Sequence, residues 1–330
     1  MTAKHSSGLL ILLSILFLMP CPAHSQMSSV KTVWVIMMEN KNWSGNNAGA
    51  YFGDPDLKDN PLAPYINGTL SKRAAQPLQY YNPPGNHPSQ PNYVWLESGS
   101  AQGVLADTQP GQPQFFTTQH LVTLLQKAGI SWKVYAEPNF GSPVLHGCPL
   151  DFSSVDVQHI PQVYFSDIND GLNSRSTECI AHVVPYSNIK TDLADHTQPR
   201  FNLIVPNLCH NGHEKISPCD PHEPTDNTAR SDEWLKKNVP LILQSAEYRN
   251  HGALFIIWDE AEDNGISADG PIPVFLLSRF AKGEGTTGYH NSIHYTHSST
   301  LKTIQEIFGV RPFLGGAADA ATADLSDLFK

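Results

Sequence analysis

Val33-Trp34-Val35-Ile36-Met37-Met38, followed at once by Glu39-Asn40, is the stretch on which the reading of this chain turns. Lys31-Thr32 lead into it. The unbroken apolar run has the length of a strand, and a strand buried on both faces needs such a run, as in a parallel sheet covered by helices on each side. Ala253 to Trp258 repeats the pattern and also ends in a polar pair, Asp259-Glu260. Further strands are expected at Ile130 to Tyr135, Phe201 to Val205 and Val274 to Leu277. Thr118 to Ala128 predicts a helix, with Leu121, Leu124 and Leu125 on one face and Gly129 as its stop. Ser231 is expected to cap a helix reaching about Ser245, with Asp232 and Glu233 in its first turn. Ser298 or Ser299 is expected to cap a last helix that Gly309 ends. Residues 50 to 90, rich in Pro, Gly, Asn and Asp, read as long loops, and residues 140 to 180 as irregular. Strands alternating with helices predict an α/β domain with a mostly parallel sheet, whose ligands bind beyond the carboxyl ends of the strands.

The chain has 330 residues, 40% of them hydrophobic, enough for one large core or two small ones. Its net charge of −10 comes with no basic block, which argues against a nucleic-acid partner. Lys4 and His5, the apolar run Leu9 to Met19 and the small-x-small triplet Ala23-His24-Ser25 read as an export signal over residues 1–25. The mature chain, 26–330, is then secreted or periplasmic and has no membrane-spanning segment. A lipoprotein anchor at Cys21 is the alternative, with Pro20 and Pro22 flanking it badly. Cleavage leaves Cys148, Cys179, Cys209 and Cys219, an even count that fits two disulfides. Three connectivities are open. Cys209 with Cys219 is the most local pairing and leaves Cys148 with Cys179.

Glu39, Asn40, Asp259 and Glu260 together offer carboxylates and an amide oxygen, a hard donor set suited to a divalent cation. Each pair also reads simply as the start of a loop. In His87-Pro88-Ser89-Gln90-Pro91-Asn92-Tyr93, Pro91 is placed like a first-turn residue, and Gly99 would end the short helix. Ser89 then lies at or just before the N-cap, where backbone N–H groups and the helix dipole favour negative charge. A hydroxyl there, touching a cation, can attack phosphorus, although serines at such places also serve only as caps. Among fifteen histidines, His182, His213 and His297 lie beside predicted element ends and could bind phosphate oxygen or protonate a leaving group.

Val35-Ile36-Met37-Met38-Glu39-Asn40-Lys41-Asn42-Trp43 resembles a signature of the phosphoesterase family of phospholipases C and acid phosphatases. The Ser89 segment resembles that family's nucleophile segment. Ile130 to Glu137, the segments of His182 and His213, Trp258-Asp259-Glu260 and Tyr295 to Leu301 are similar to further stretches, in the family's order. The resemblance implies an alkaline-phosphatase-like α/β/α sandwich over residues 26–330. It implies one divalent metal ion held by Glu39, Asn40, Ser89, Asp259 and Glu260, and a small phosphate-ester substrate. Ser89 would be the nucleophile, with His213, His182 and His297 assisting and His87, Asn92 and Asn207 near the phosphate. Ala261-Glu262-Asp263-Asn264-Gly265 departs from the Gly-Gly-Phe-Tyr-Asp-His-type run of many phospholipase C members, which favours phosphomonoesters over phospholipid diesters. A phosphodiesterase and a non-catalytic metal or anion binder are the rival readings.

Overall fold

The structure is a computed structural model and describes residues 26–44, 56–142, 145–213, 218–262, 270–285 and 287–330. The expected signal over 1–25, with Cys21, lies outside these residues, as do Asp263, Asn264 and Gly265.

Eight strands form one sheet: β1 (Thr32–Met38), β2 (Ala75–Tyr81), β3 (Trp132–Ala136), β4 (Val183–Pro185), β5 (Phe201–Val205), β6 (Gly252–Trp258), β7 (Val274–Leu277) and β8 (Tyr289–Thr296). Their order is β4-β3-β5-β1-β6-β7-β2-β8. The pairs from β4 to β6 are parallel, β7 runs antiparallel to both its neighbours, and β2 pairs parallel with β8. The helices are α1 (Ser89–Ser98), α2 (Leu121–Lys127), α3 (Ser166–Asn169), α4 (Thr177–His182), α5 (Asn188–Ala194), α6 (Asn227–Leu243), α7 (Ala246–His251) and α8 (His297–Phe308).

The central strands behave as their composition demands. Every residue of β1 and β6 is buried. Full burial of each Val, Leu, Ile or Met side chain contributes about 1.5–3 kcal/mol, so these two strands anchor the core. β6 begins at Gly252 because nothing larger fits. A Cβ there would stand 2.4 Å from the Tyr248 backbone and 2.8 Å from the Trp34 ring.

β2 lies where a loop is expected, and β4 and β8 lie where no strand is expected. In β2, Gln76, Pro77 and Gln79 break the apolar pattern, and the register with β8 shifts between Pro77 and Gln79. β8 is an edge strand with half of its residues exposed, and it shows no apolar run. β4 has only three residues. Two helix caps also move. Asp226, not Ser231, caps α6, its side chain accepting from Ala229 N. Ser231 instead lies inside α6 and donates to Thr228 O at 2.9 Å. Thr296, not Ser298 or Ser299, caps α8, with Ser299 completing a capping box. Both disulfides, Cys148–Cys179 and Cys209–Cys219, are formed. Among the described residues, no helix is long and apolar enough to cross a membrane.

Candidate active site

β1 and β6 run parallel with Met38 opposite Trp258, so Glu39 and Asp259 leave the sheet side by side. Asn40 N donates to Asp259 Oδ1 at 2.9 Å, which ties the two strand ends together. Asn40 takes a φ of +41°, a left-handed conformation that Asn tolerates better than most residues. Ser89 is the first residue of α1 and is 2% exposed. Its hydroxyl faces two acceptors, Glu39 Oε1 at 2.8 Å and Asn40 Oδ1 at 3.1 Å. Helix start and strand ends thus meet on one oxygen, beside the positive end of α1.

Two histidines surround the same carboxylate. His159 Nε2 lies 3.1 Å, and His213 Nδ1 3.4 Å, from Glu39 Oε1. Asn211 Nδ2 donates to Glu39 Oε2, and Asn211 O accepts from Glu39 N at 2.9 Å. Burial opposes ionisation of Glu39, but His159 and His213 outweigh it and hold the carboxyl well below its usual range. The reciprocal effect acts on His159: burial would lower its pKa, and Glu39 raises it to about 9. Glu39 and His159 are therefore a buried ion pair. The His159 ring also stacks on Tyr93, centroids 4.5 Å apart.

At Asp259 the Asn40 N–H and His159 favour the charged form too, but they are outweighed. It is fully buried, and its Oδ2 has no hydrogen-bond partner among the described residues. Burial, then Glu260 and Glu39, push its pKa well above the ordinary value. A buried carboxylate oxygen without a donor, beside two further carboxylates, is the environment a hard cation relieves. Glu39, Asn40, Ser89 and Asp259 supply oxygen donors of the right kind. Among the described residues, no three His, Cys, Asp or Glu side chains form a ready-made cage. The donor set therefore leans on the Asn40 amide and the Ser89 hydroxyl.

Glu260 turns to a different pair of partners. Its Oε2 lies 2.9 Å from His87 Nδ1 and accepts from Asn92 Nδ2 at 2.8 Å. Asn92 is fully buried; its amide nitrogen also donates to Asn86 O at 2.8 Å and its Oδ1 accepts from Asn86 Nδ2 at 2.9 Å. Asn92 therefore positions Glu260 and has no spare group for phosphate. His87, with 22% of its side chain exposed, stays at the rim beside the nucleophile.

Three other expected residues are placed elsewhere. His297 is fully buried, with Nε2 against the Asp259 carbonyl and Nδ1 3.1 Å from the Tyr80 hydroxyl. Burial lowers its pKa to about 4, so it is a neutral support for the Asp259 turn. His182 ends α4, just before β4 begins, and stacks on Trp132 at the start of β3 with centroids 4.3 Å apart. Those are the amino ends of the strands, across the sheet from Ser89. Asn207 spends its side chain on the turn after β5, donating to Pro138 O and accepting from Cys209 N, each at 2.9 Å.

His159 carries no expectation from the sequence, because the segment around it reads as irregular. Its signal is the company it keeps. Val155, Val157, Ile160 and Val163 are interspersed with polar residues and are all buried, and a histidine carried inward with them needs a polar or charged partner.

The Phosphoesterase family model matches residues 78–311. A phosphatidylinositol-3-phosphatase of Mycobacterium tuberculosis is 26% identical over 79% of this chain and 74% of its own length. A probable acid phosphatase of Kluyveromyces lactis is 24% identical, and an acid phosphatase of Aspergillus fumigatus 23%, each over 69% of this chain. The matched region spans about half of those two proteins, 50% and 47%. A sulfatase from a Pseudoalteromonas species superposes with a TM-score of 0.55 at 13% identity, over 94% of this chain and 76% of that one. A Vibrio parahaemolyticus protein of the alkaline phosphatase superfamily superposes with a TM-score of 0.52 at 13% identity, over 89% and 71%. The fold is thus similar to those of these two structures, and the chain belongs to the Phosphoesterase family, hydrolases that act on phosphate esters.

Proposed function

We propose that residues 26–330 form one catalytic domain, a metal-assisted phosphatase that cleaves phosphomonoesters through a phosphoserine intermediate on Ser89. The observation that carries this reading is the Ser89 hydroxyl, buried at the start of α1 and hydrogen-bonded to Glu39 Oε1 and Asn40 Oδ1. The relatives named above are phosphatases, which favours monoesters over diesters.

A divalent cation held by Glu39, Asn40, Ser89 and Asp259, with Glu260 adjoining, would lower the pKa of the hydroxyl and offset phosphoryl charge. Glu39, kept ionised by His159, accepts the Ser89 hydroxyl proton along their 2.8 Å hydrogen bond. Ser89 Oγ bonds to phosphorus as the phosphorus–alcohol oxygen bond breaks. His213, with 15% of its side chain exposed, gives its proton to the departing alcohol. Water then attacks the phosphoserine and gives a proton to His213 as the Oγ–phosphorus bond breaks, Ser89 Oγ takes its proton back from Glu39, and inorganic phosphate leaves. The N-terminal dipole of α1 favours the negative charge that builds at this point.

The two disulfides support an oxidising compartment and so agree with export through the segment 1–25. The test is Ser89→Ala, assayed on p-nitrophenyl phosphate and by acid quench for a phosphorylated protein. Loss of at least about a thousandfold in kcat, with the adduct absent from the variant and present in the wild type, is expected. Activity within about tenfold of the wild type would sink the proposal.

A further inference from the structure

One of the N–H groups that a phosphoryl group on Ser89 would use is already taken, by Asp107. The first four N–H groups of a helix have no partner inside it. In α1 two of the four are missing, because the N-cap is Pro88 and the third helical residue is Pro91. Only Ser89 N and Gln90 N remain to face an anion. Gln90 N donates to Asp107 Oδ1 at 2.9 Å. Gln90 N and Ser89 Oγ are four covalent bonds apart, so they lie within about 5 Å of one another. A phosphoryl group on Ser89 Oγ and the Asp107 carboxylate therefore compete for one donor.

The contact is built from both sides. Asp107 lies 17 positions after Gln90. Gln90 Oε1 in turn accepts from Thr108 N at 2.7 Å and from Thr108 Oγ1 at 3.2 Å. The Tyr164 hydroxyl donates to Thr108 O. Gln90 is fully buried and Asp107 is exposed, so the carboxylate turns inward from an open loop. Loss of water around that carboxyl raises its pKa, the Gln90 N–H opposes the rise, and His159, Glu39 and His213 all act on it. The charges that surround Ser89 thus reach Asp107 as well.

We propose that Asp107 is a competing anion at the phosphoryl position, which weakens the hold of the enzyme on phosphate and so hastens product release. The proposal rests on the reading of Ser89 as a phosphomonoesterase nucleophile. A helix start needs only an oxygen as its cap, and Asn, Ser or Thr supplies one without charge. A carboxylate here adds a further acidic group to Glu39, Asp259 and Glu260. It also lies beside the place where phosphate must sit, and like charges side by side repel. A phosphate ester displaces the carboxylate from Gln90 N, and the exposed loop leaves room for it to move outward. Once inorganic phosphate has formed, the carboxylate returns to the N–H and disfavours rebinding.

The test measures binding of inorganic phosphate to the enzyme as isolated, by calorimetric titration and by product inhibition of p-nitrophenyl phosphate hydrolysis. Asp107→Asn keeps an acceptor for Gln90 N and removes the charge, whereas Asp107→Ala removes both. The dissociation and inhibition constants for phosphate are expected to fall by about fivefold in the first variant and about tenfold or more in the second. Thermal melts report the fold, and where Asp107→Ala melts early, Asp107→Asn decides. Constants that stay unchanged or rise in the folded Asp107→Asn variant would overturn the proposal and leave Asp107 as a cap only, with the Ser89 reading intact. A wild-type enzyme that neither binds phosphate nor is inhibited by it would overturn both.

Discussion

Ser89 Oγ lies 2.8 Å from Glu39 Oε1, although the two residues are 50 positions apart and belong to a helix start and a strand end. That same carboxylate oxygen is approached by His159 and His213. One buried oxygen therefore gathers the proposed nucleophile, an ion-pair partner and the histidine proposed to move a proton.

His159 and His182 should behave oppositely. His159→Gln removes the charge that keeps Glu39 ionised, and kcat is expected to fall by about a hundredfold or more. His182→Gln is expected to leave kcat within about threefold and to cost about 1 kcal/mol of stability through the lost stacking on Trp132. Steady-state kinetics with denaturant melts on both variants check this. Equal effects on activity would contradict the placement of the two rings.

Dialysis against a chelator should remove activity, and adding back a divalent cation should restore it. Asp259→Asn should be inactive under both conditions. Because Asp259 Oδ2 is buried with no partner among the described residues, the chelator-treated variant should melt no lower than the chelator-treated wild type. A clear loss of stability in that comparison would count against the carboxylate being held ready for a cation.

The disulfide Cys209–Cys219 closes the segment that carries Asn211 and His213. Replacing both cysteines with serine should cost about 2–4 kcal/mol. It should also lower kcat by more than the matching change at Cys148 and Cys179, a pair remote from Glu39. Assays well below each variant's melting temperature separate the two effects.

His120 gives a stability that depends on pH. Its Nδ1 lies 2.7 Å from Glu97 Oε1 and its Nε2 3.0 Å from Asp167 Oδ1. Burial pulls its pKa down, but Asp167 and Glu97 outweigh this and raise it to about 9. Unfolded, the ring titrates near 6.5. The folded state therefore binds the proton more tightly, so the stabilisation is complete below about pH 6.5 and is lost as pH rises through about 9. Urea melts of the wild type and His120→Gln should differ most at pH 6 and converge by about pH 9.5. A gap that widens with pH would contradict the sign.

Much of the centre of this protein was legible in the chain itself. The runs that became β1 and β6 had to be buried on both faces, and the polar pairs that end them had to emerge at the carboxyl edge. Gly99 ends α1 and Gly309 ends α8 because both take the left-handed conformation that glycine accepts. β2 and β8 were hidden, since a mixed or edge strand needs no continuous apolar run and shows none.

The roles of the histidines were decided only by the fold. From the chain, His182 and His297 look as promising as His213, and His159 looks like nothing at all. The sheet carries His182 to the far ends of the strands, buries His297 against a backbone carbonyl and brings His159 to Glu39. A periodic apolar pattern is a local property that each segment carries by itself. Which imidazole meets which carboxylate depends on strand order and register, and these arise only when distant segments pack together.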